Sequence, residues 1–335
     1  MTDVPVIDIT PLREEASGAA LHACSTEIDR ACRDVGFFVI SGHGVPGHEL
    51  QRLDAAARKF FARPETEKAD IAMARGGLAW RGWFPERGEL TAGRPDDKEG
   101  IYFGEELAAD DPRVVAGRPL HGPNLFPAEP PQLREAVLDW IESMTSLGRI
   151  VVRGLALALG LDADWFDRTL TADPMVLFRI FRYPARTIDE ARVGVAEHTD
   201  YGLVTILAHD GSPGLQVRPR GSDWIDVPVV DGTFVVNLGD MLERMTAGRY
   251  RSTPHRVRNP VSTEGPGSRD RLSFPFFFDP GWDVEVAPIP VQQDVPRNDD
   301  PAARWDGRSV HDGQGTYGDY LTAKVAQVFP ELGLR

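Results

Sequence analysis

Cysteine is scarce. Only Cys24 and Cys32 occur in 335 residues, both within one expected helix. That excludes a disulfide framework and makes a reducing cytoplasm the default compartment. Long apolar runs are also missing, and none approaches the roughly 18 residues a membrane span requires. The N-terminal MTDVPVIDITPLREE lacks a basic region followed by an apolar segment, so no secretion signal is expected. Positive charge is in short supply. Lys and Arg number 37 against 51 Asp and Glu, giving a formal net charge of -14. A nucleic-acid surface needs clustered positive charge, so neither nucleic acid nor membrane is expected as a partner. Internal repeats and long low-complexity tracts are lacking too.

The remainder is ordinary globular sequence, 41% hydrophobic and 26% charged, which allows a substantial core. The length suits a single large barrel with helical decoration. VPVIDI alternates like a strand, residues 14–33 read as a helix, and VGFFVISGHG reads as a buried strand ending in a glycine turn. A second helix is expected from Pro46 to Ala62, with Leu50, Leu53, Ala57 and Phe60 on one face and Pro64 as its stop. Residues 73–100, rich in glycine, aromatics and charge, read as a long surface segment of the kind that carries function. A long helix follows at 133–160, striped by Val137, Ile141, Met144, Val151 and Leu155. From Val176 the texture turns to short β-rich runs separated by turns, the pattern of a sandwich or barrel. The C-terminal TYGDYLTAKVAQVFPEL returns to helix. The expected division is an N-terminal α/β segment over 1–105, a helical segment over 106–175, a β core over 176–290 and a C-terminal tail and helix over 291–335, all in one compact unit.

Within AEHTDYGLVTIL, His198 and Asp200 sit at i and i+2 of a strand-like run, hence on one face. A lone His-x-Asp is weak evidence and fits a hydrogen-bonded core pair. His255, in STPHRV, is the candidate third ligand. Two imidazoles and one carboxylate on one face of an octahedron suit non-haem Fe(II). His43, His121, His209 and His311 have no convincing ligand partner and read as structural or exposed; HDGSPG reads as a turn that leaves His209 in solvent. Sixteen positions after His255, RDRLSF offers Arg271 and Ser273, again i and i+2. A guanidinium fork with a neighbouring hydroxyl is a clamp for a carboxylate. Tyr183, in FRYPA, could add its phenol. Arg81, Trp83, Phe84, Tyr102 and Phe277 are candidates for a substrate cavity, with Arg81 facing an anionic group. Core packing for the aromatics and a solvated Arg81 stand at even odds with that. Trp140 and Trp224 read as packing.

HTDYGLVTIL, PGLQV, VVNLGDMLERMTAGRYRSTPHRV and RLSFPFFFDP together resemble the isopenicillin N synthase-like branch of Fe(II)/2-oxoglutarate-dependent oxygenases. The N-terminal VPVIDI and CRDVGFFVISGHGV and the C-terminal TYGDYLTAKVAQVFP extend the resemblance over nearly the whole chain. It implies a mainly β fold with flanking α, a double-stranded β-helix (jelly-roll) core wrapped by N- and C-terminal helices. It implies that His198, Asp200 and His255 form the facial triad that holds iron, and that Arg271, Ser273 and Tyr183 hold the 2-oxoglutarate co-substrate. The chemistry implied is O2-dependent hydroxylation, desaturation or cyclisation of a small molecule, with release of succinate and CO2. An aspartate at 200, where halogenating relatives lack the carboxylate, disfavours halogenation. Two alternatives remain open: a 2-oxoglutarate-independent iron oxidase of the isopenicillin N synthase type, whose clamp grips a substrate carboxylate, and a non-catalytic metal- or ligand-binding jelly roll. Secondary-metabolite biosynthesis, antibiotics included, and small-molecule catabolism fit equally.

Overall fold

The run VPVIDI forms strand β1 (Val6–Asp8) in a computed structural model that describes residues 3–91, 93–187, 193–261, 269–291, 309 and 315–328. The helix expected from residue 14 is instead two. Helix α1 (Thr10–Arg13) starts earlier and α2 (Ala19–Asp34) later. Glu15 (φ 51°) and Gly18 (φ 74°) lie between them in the left-handed region, which no helix tolerates. Strand β2 (Phe37–Ser41) is followed by α3 (Gly47–Phe61), which buries Leu53, Ala57 and Phe60, and by the short α4 (Glu65–Lys68).

Much of the segment expected at the surface is folded into the protein, while Leu90, Arg94 and Pro95 stay exposed. It forms β3 (Gly82–Phe84), β4 (Leu90–Thr91), β5 (Arg94–Pro95) and β6 (Glu99–Gly104). Trp80, Trp83, Phe84, Asp96, Asp97, Lys98 and Glu99 are all buried. Burial is tolerable because each charge meets a partner. Lys98 binds Glu89 at 2.7 Å, Lys68 binds Glu99 at 2.6 Å and Arg186 binds Asp97 at 2.9 Å.

Helices α5 (Pro112–Val115), α6 (Gln132–Ala158) and α7 (Trp165–Thr169) follow. Val137, Ile141, Met144, Val151 and Leu155 of α6 are buried, as the stripe predicts, and Trp140 packs edge-on to Phe234. Then come β7 (Met175–Tyr183), β8 (Val193–His198), β9 (Val204–His209), β10 (Leu215–Val217), β11 (Ile225–Asp226), β12 (Phe234–Leu238), α8 (Asp240–Met245), β13 (His255–Arg258), β14 (Arg271–Asp279) and α9 (Tyr317–Val328).

Two sheets face each other. The larger runs β1-β2-β12-β9-β14-β7-β6-β3 and the smaller β11-β10-β13-β8. This is the jelly-roll core with flanking helices. Strands from the first 105 residues supply both edges of the larger sheet. On β14, Phe274, Phe276 and Phe278 are wholly buried on one face, and Phe278 lies against Gly148 of α6. The alternate residues Arg271, Ser273, Pro275 and Phe277 line a cavity between the sheets. No described helix is long and apolar enough to cross a membrane. Cys24 and Cys32 are free and buried in α2. Trp224 stacks with Arg218 and Arg256.

Candidate active site

Pairing of β8 with β13 sets His255 directly opposite His198, with ring centroids 4.2 Å apart. Asp200, two residues past the end of β8, places Oδ1 3.9 Å from His198 Nε2 and 3.7 Å from His255 Nε2. One donor atom from each of the three lies within 4.8 Å of the others, the one such group among the described residues. Neighbours aim them. His198 Nδ1 is 2.8 Å from Ala196 O and His255 Nδ1 is 3.1 Å from Thr253 O. A carbonyl can only accept, so each Nδ1 carries the proton and each Nε2 presents a lone pair. Asp200 Oδ2 accepts from Thr205 Oγ1 at 2.5 Å and Asn237 Nδ2 at 2.7 Å, leaving Oδ1 for the shared point.

Charge states agree with this geometry. Burial pushes His255 down to about 4, with His198 beside it acting the same way, and burial lowers His198 as well. Burial raises Asp200, but the charges of His255 and His198 and the bonds from Thr205 and Asn237 outweigh it, and its carboxyl lies below the usual range. Two neutral imidazoles and a carboxylate converging on one point are a donor set for a divalent transition metal, and the residues fit iron.

Arg271, Ser273 and Tyr183 line the same cavity. Arg271 is opposite Tyr183 across β14 and β7, its guanidinium 4.9 Å from the phenol ring centroid. Arg271, Ser273 and Tyr183 are each 2% exposed. Arg271 Nε reaches only Ser212 O, at 3.4 Å, and its buried Nη1 has no hydrogen-bond partner. A buried guanidinium nitrogen without an acceptor, facing a cavity, is suited to an anionic ligand.

Several expectations need correction. His209 is not in a solvent turn. It ends β9 directly opposite Ser273, half-buried, with Nδ1 accepting from Gly211 N–H at 3.1 Å. Burial lowers its pKa, and the Arg271 charge adds to that. It is not among the three converging donors. Arg81 neither faces the cavity nor meets solvent. It is 1% exposed and donates to Ala79 O and Leu120 O, each at 3.0 Å. Trp83, Phe84 and Tyr102 pack behind the cavity wall; Phe277 lines it. His43 and His121 are structural, bound to Gly232 O and Pro119 O. His311 lies outside the described residues. Sequence reasoning misses Arg179, Trp80, Lys98, Tyr201 and Leu321 as lining residues. Alternation along β7 from Tyr183 back through Phe181 is the available signal for Arg179.

Comparison with known proteins supplies the family. The model for the N-terminal region of non-haem dioxygenases in morphine synthesis matches residues 4–129, and that of the 2OG-Fe(II) oxygenase superfamily matches residues 173–280. A probable iron/ascorbate oxidoreductase from Dictyostelium discoideum is 41% identical, covering 98% of this chain and 95% of its own. A homoarginine-6-hydroxylase from Glycine max is 32% identical, covering 99% and 98%. A Neurospora crassa protein crystallised in complex with alpha-KG and thymine superposes with a TM-score of 0.75 at 25% identity, covering 97% and 96%. With its converging donors set in a jelly roll, the chain belongs to the 2OG-Fe(II) oxygenase superfamily and is a non-haem Fe(II)/2-oxoglutarate-dependent dioxygenase.

Proposed function

We propose that His198, Asp200 and His255 hold the iron, that Arg271, Ser273 and Tyr183 grip the far carboxylate of 2-oxoglutarate, and that the enzyme hydroxylates, desaturates or cyclises a small molecule. The observation that carries this reading is one cavity lined by both the three converging donors and a buried guanidinium whose Nη1 has no partner. Bound iron supplies O2 activation coupled to decarboxylation of 2-oxoglutarate to succinate and CO2. The chain's residues do the rest. Thr205 and Asn237 hold one oxygen of Asp200 so that the other stays directed at the metal. The carbonyls of Ala196 and Thr253 fix both imidazole tautomers. Arg271 fixes the direction of the co-substrate, and the apolar walls at Leu177, Leu207 and Phe277 keep water from the reacting centre.

The net charge of -14 favours a partner that is not nucleic acid, and two buried free thiols favour a reducing cytoplasm. The four sequence segments act in this reading as one unit, since strands of the first 105 residues and of the β core share the larger sheet, α6 packs on β14, and Leu321 of the last segment lines the cavity.

The test is anaerobic titration of the Fe(II) protein with 2-oxoglutarate, followed by the metal-to-ligand absorption band, with succinate release measured in air. Arg271→Ala should bind iron normally and lose roughly 2–5 kcal/mol of 2-oxoglutarate affinity. Arg271→Lys, which keeps charge and loses the fork, should fall between. An unchanged midpoint in Arg271→Ala would remove the clamp from this reading.

A further inference from the structure

The cavity holds a second guanidinium with open donors. Arg179 lies on the cavity-facing side of β7, in series with Leu177, Phe181 and Tyr183. Its guanidinium is walled by rings, 4.1 Å from the centroid of Tyr102, 4.8 Å from Phe277 and 5.2 Å from Trp80. Its buried Nε has no hydrogen-bond partner. Other arginines behind the cavity do have acceptors for part of their guanidinium: Arg182 donates to Asp270 at 2.6 Å and also to Glu99, and Arg81 donates to two backbone carbonyls while its own Nε stays unpartnered.

Charge and hydrogen bonding separate at Arg179. Glu89 approaches it at 3.8 Å, near enough to offset its charge and too far to take a hydrogen. Glu89 is already engaged by Lys98 at 2.7 Å and by the Tyr102 hydroxyl. Lys98 is shared with Asp96. Two cations and two carboxylates therefore cancel here before any substrate arrives. A carboxylate brought to Arg179 would leave this buried cluster with a net negative charge, which is costly in a low-dielectric site. An uncharged oxygen acceptor would satisfy the open donors and leave the balance intact.

From this separation we infer that Arg179 is the specificity-determining residue for the primary substrate, and that the substrate is an uncharged small molecule presenting a carbonyl-type oxygen to it. The inference rests on the reading above, in which Arg271 is occupied by 2-oxoglutarate. The two guanidiniums then divide the cavity's polar recognition: Arg271 takes the anionic co-substrate, and Arg179 takes a neutral amide, lactam or ketone. The remainder of the substrate lies against Leu177, Tyr201 and Phe277.

The test uses the full chain loaded with Fe(II) under anaerobic conditions and saturated with 2-oxoglutarate. The probes are benzamide, 2-pyridone and benzoate, with binding measured by calorimetry and ligand-observed NMR. At least one uncharged probe should bind tenfold or more tightly than benzoate. Arg179→Ala should lose that preference with a tenfold or greater weakening, whereas Arg179→Gln, which retains amide donors, should keep binding within a few-fold of wild type. Circular dichroism and an unchanged 2-oxoglutarate absorption midpoint report that each variant is folded and loaded. Tighter benzoate binding, no uncharged binding, or no loss in Arg179→Ala would overturn the inference while the intact absorption band leaves the co-substrate reading standing. Absence of the band in wild type would instead count against that underlying reading, and with it against the inference.

Discussion

Asn237 illustrates how much of the site depends on residues that would touch no metal. Its amide and the Thr205 hydroxyl hold one oxygen of Asp200 and thereby orient the other. Removing the Asn237 bond leaves the ligand in place but held by Thr205 alone. Asn237→Ala should therefore weaken iron binding by roughly 10–100-fold, whereas Asp200→Ala should abolish it. His209→Ala should leave metal content unchanged. Iron stoichiometry after dialysis against a graded chelator series distinguishes the three, and metal loss in His209→Ala would mean that the ligand set is wrong. A different histidine sets an acid limit. His43 Nε2–H donates to Gly232 O at 3.0 Å while Nδ1 accepts from Val45 N–H at 3.1 Å, so a second proton has no place. Burial holds its pKa below the ordinary 6.5. As pH falls below about 6.5 the unfolded chain takes the proton first, so the stabilisation present above that pH is lost on acidification toward the lowered folded value. Urea midpoints should fall between pH 7.5 and 5.5, and less steeply in His43→Gln.

At the scale of elements, β14 links the packed core to the site. One face carries Phe274, Phe276 and Phe278, and the other carries Arg271, Ser273 and Phe277 toward the cavity. Gly148 lets α6 approach that strand closely, since a Cβ there would lie 2.5 Å from Phe278 Cδ2. Alanine would gain helix propensity of about 1 kcal/mol against overpacking of roughly 1–3 kcal/mol. Gly148→Ala should thus be net destabilising by about 1 kcal/mol, seen as a lower urea midpoint. A raised midpoint would show that α6 shifts freely. Elements of this kind are legible in sequence because their signals are local. Alternation places Arg271 with Ser273, and helical spacing gives the α6 stripe; His198 and Asp200 do converge, although β8 ends at His198 and Asp200 lies in the segment beyond it rather than on the strand face. The burial of Asp97 and Glu99 is not legible, because arginines that pair with them, Arg186 and Arg182, lie far along the chain. His209 escapes for a related reason: the glycine-rich sequence after it is a turn, but β9 and its pairing with β14 continue one residue further than the composition suggests, through His209 opposite Ser273.

Over the whole molecule, the larger sheet joins β1 to the β-rich half through β2 and β12, so its core closes only when distant parts of the chain meet. Contacts of such long range favour slow, cooperative folding. The two thiols should report that cooperativity. Cys32 is 0% exposed and Cys24 5% exposed, and burial raises both thiol pKa values, that of Cys24 to about 11. A thiol-reactive dye should find neither cysteine in native buffer and both in denaturant, with a transition matching that seen by circular dichroism. Early reaction of one cysteine would mean that α2 opens separately. Helix α9, whose Leu321 completes the cavity wall, bears on how the protein is born as well as on how it works. During synthesis His198, Asp200 and His255 leave the ribosome first, Arg271 follows, and Leu321 comes near the end. Because β14 lies between β9 and β7 within the larger sheet, that order of appearance is erased on folding: His198, Asp200, His255, Arg271 and Leu321 reach one cavity only when the sheet closes as a whole.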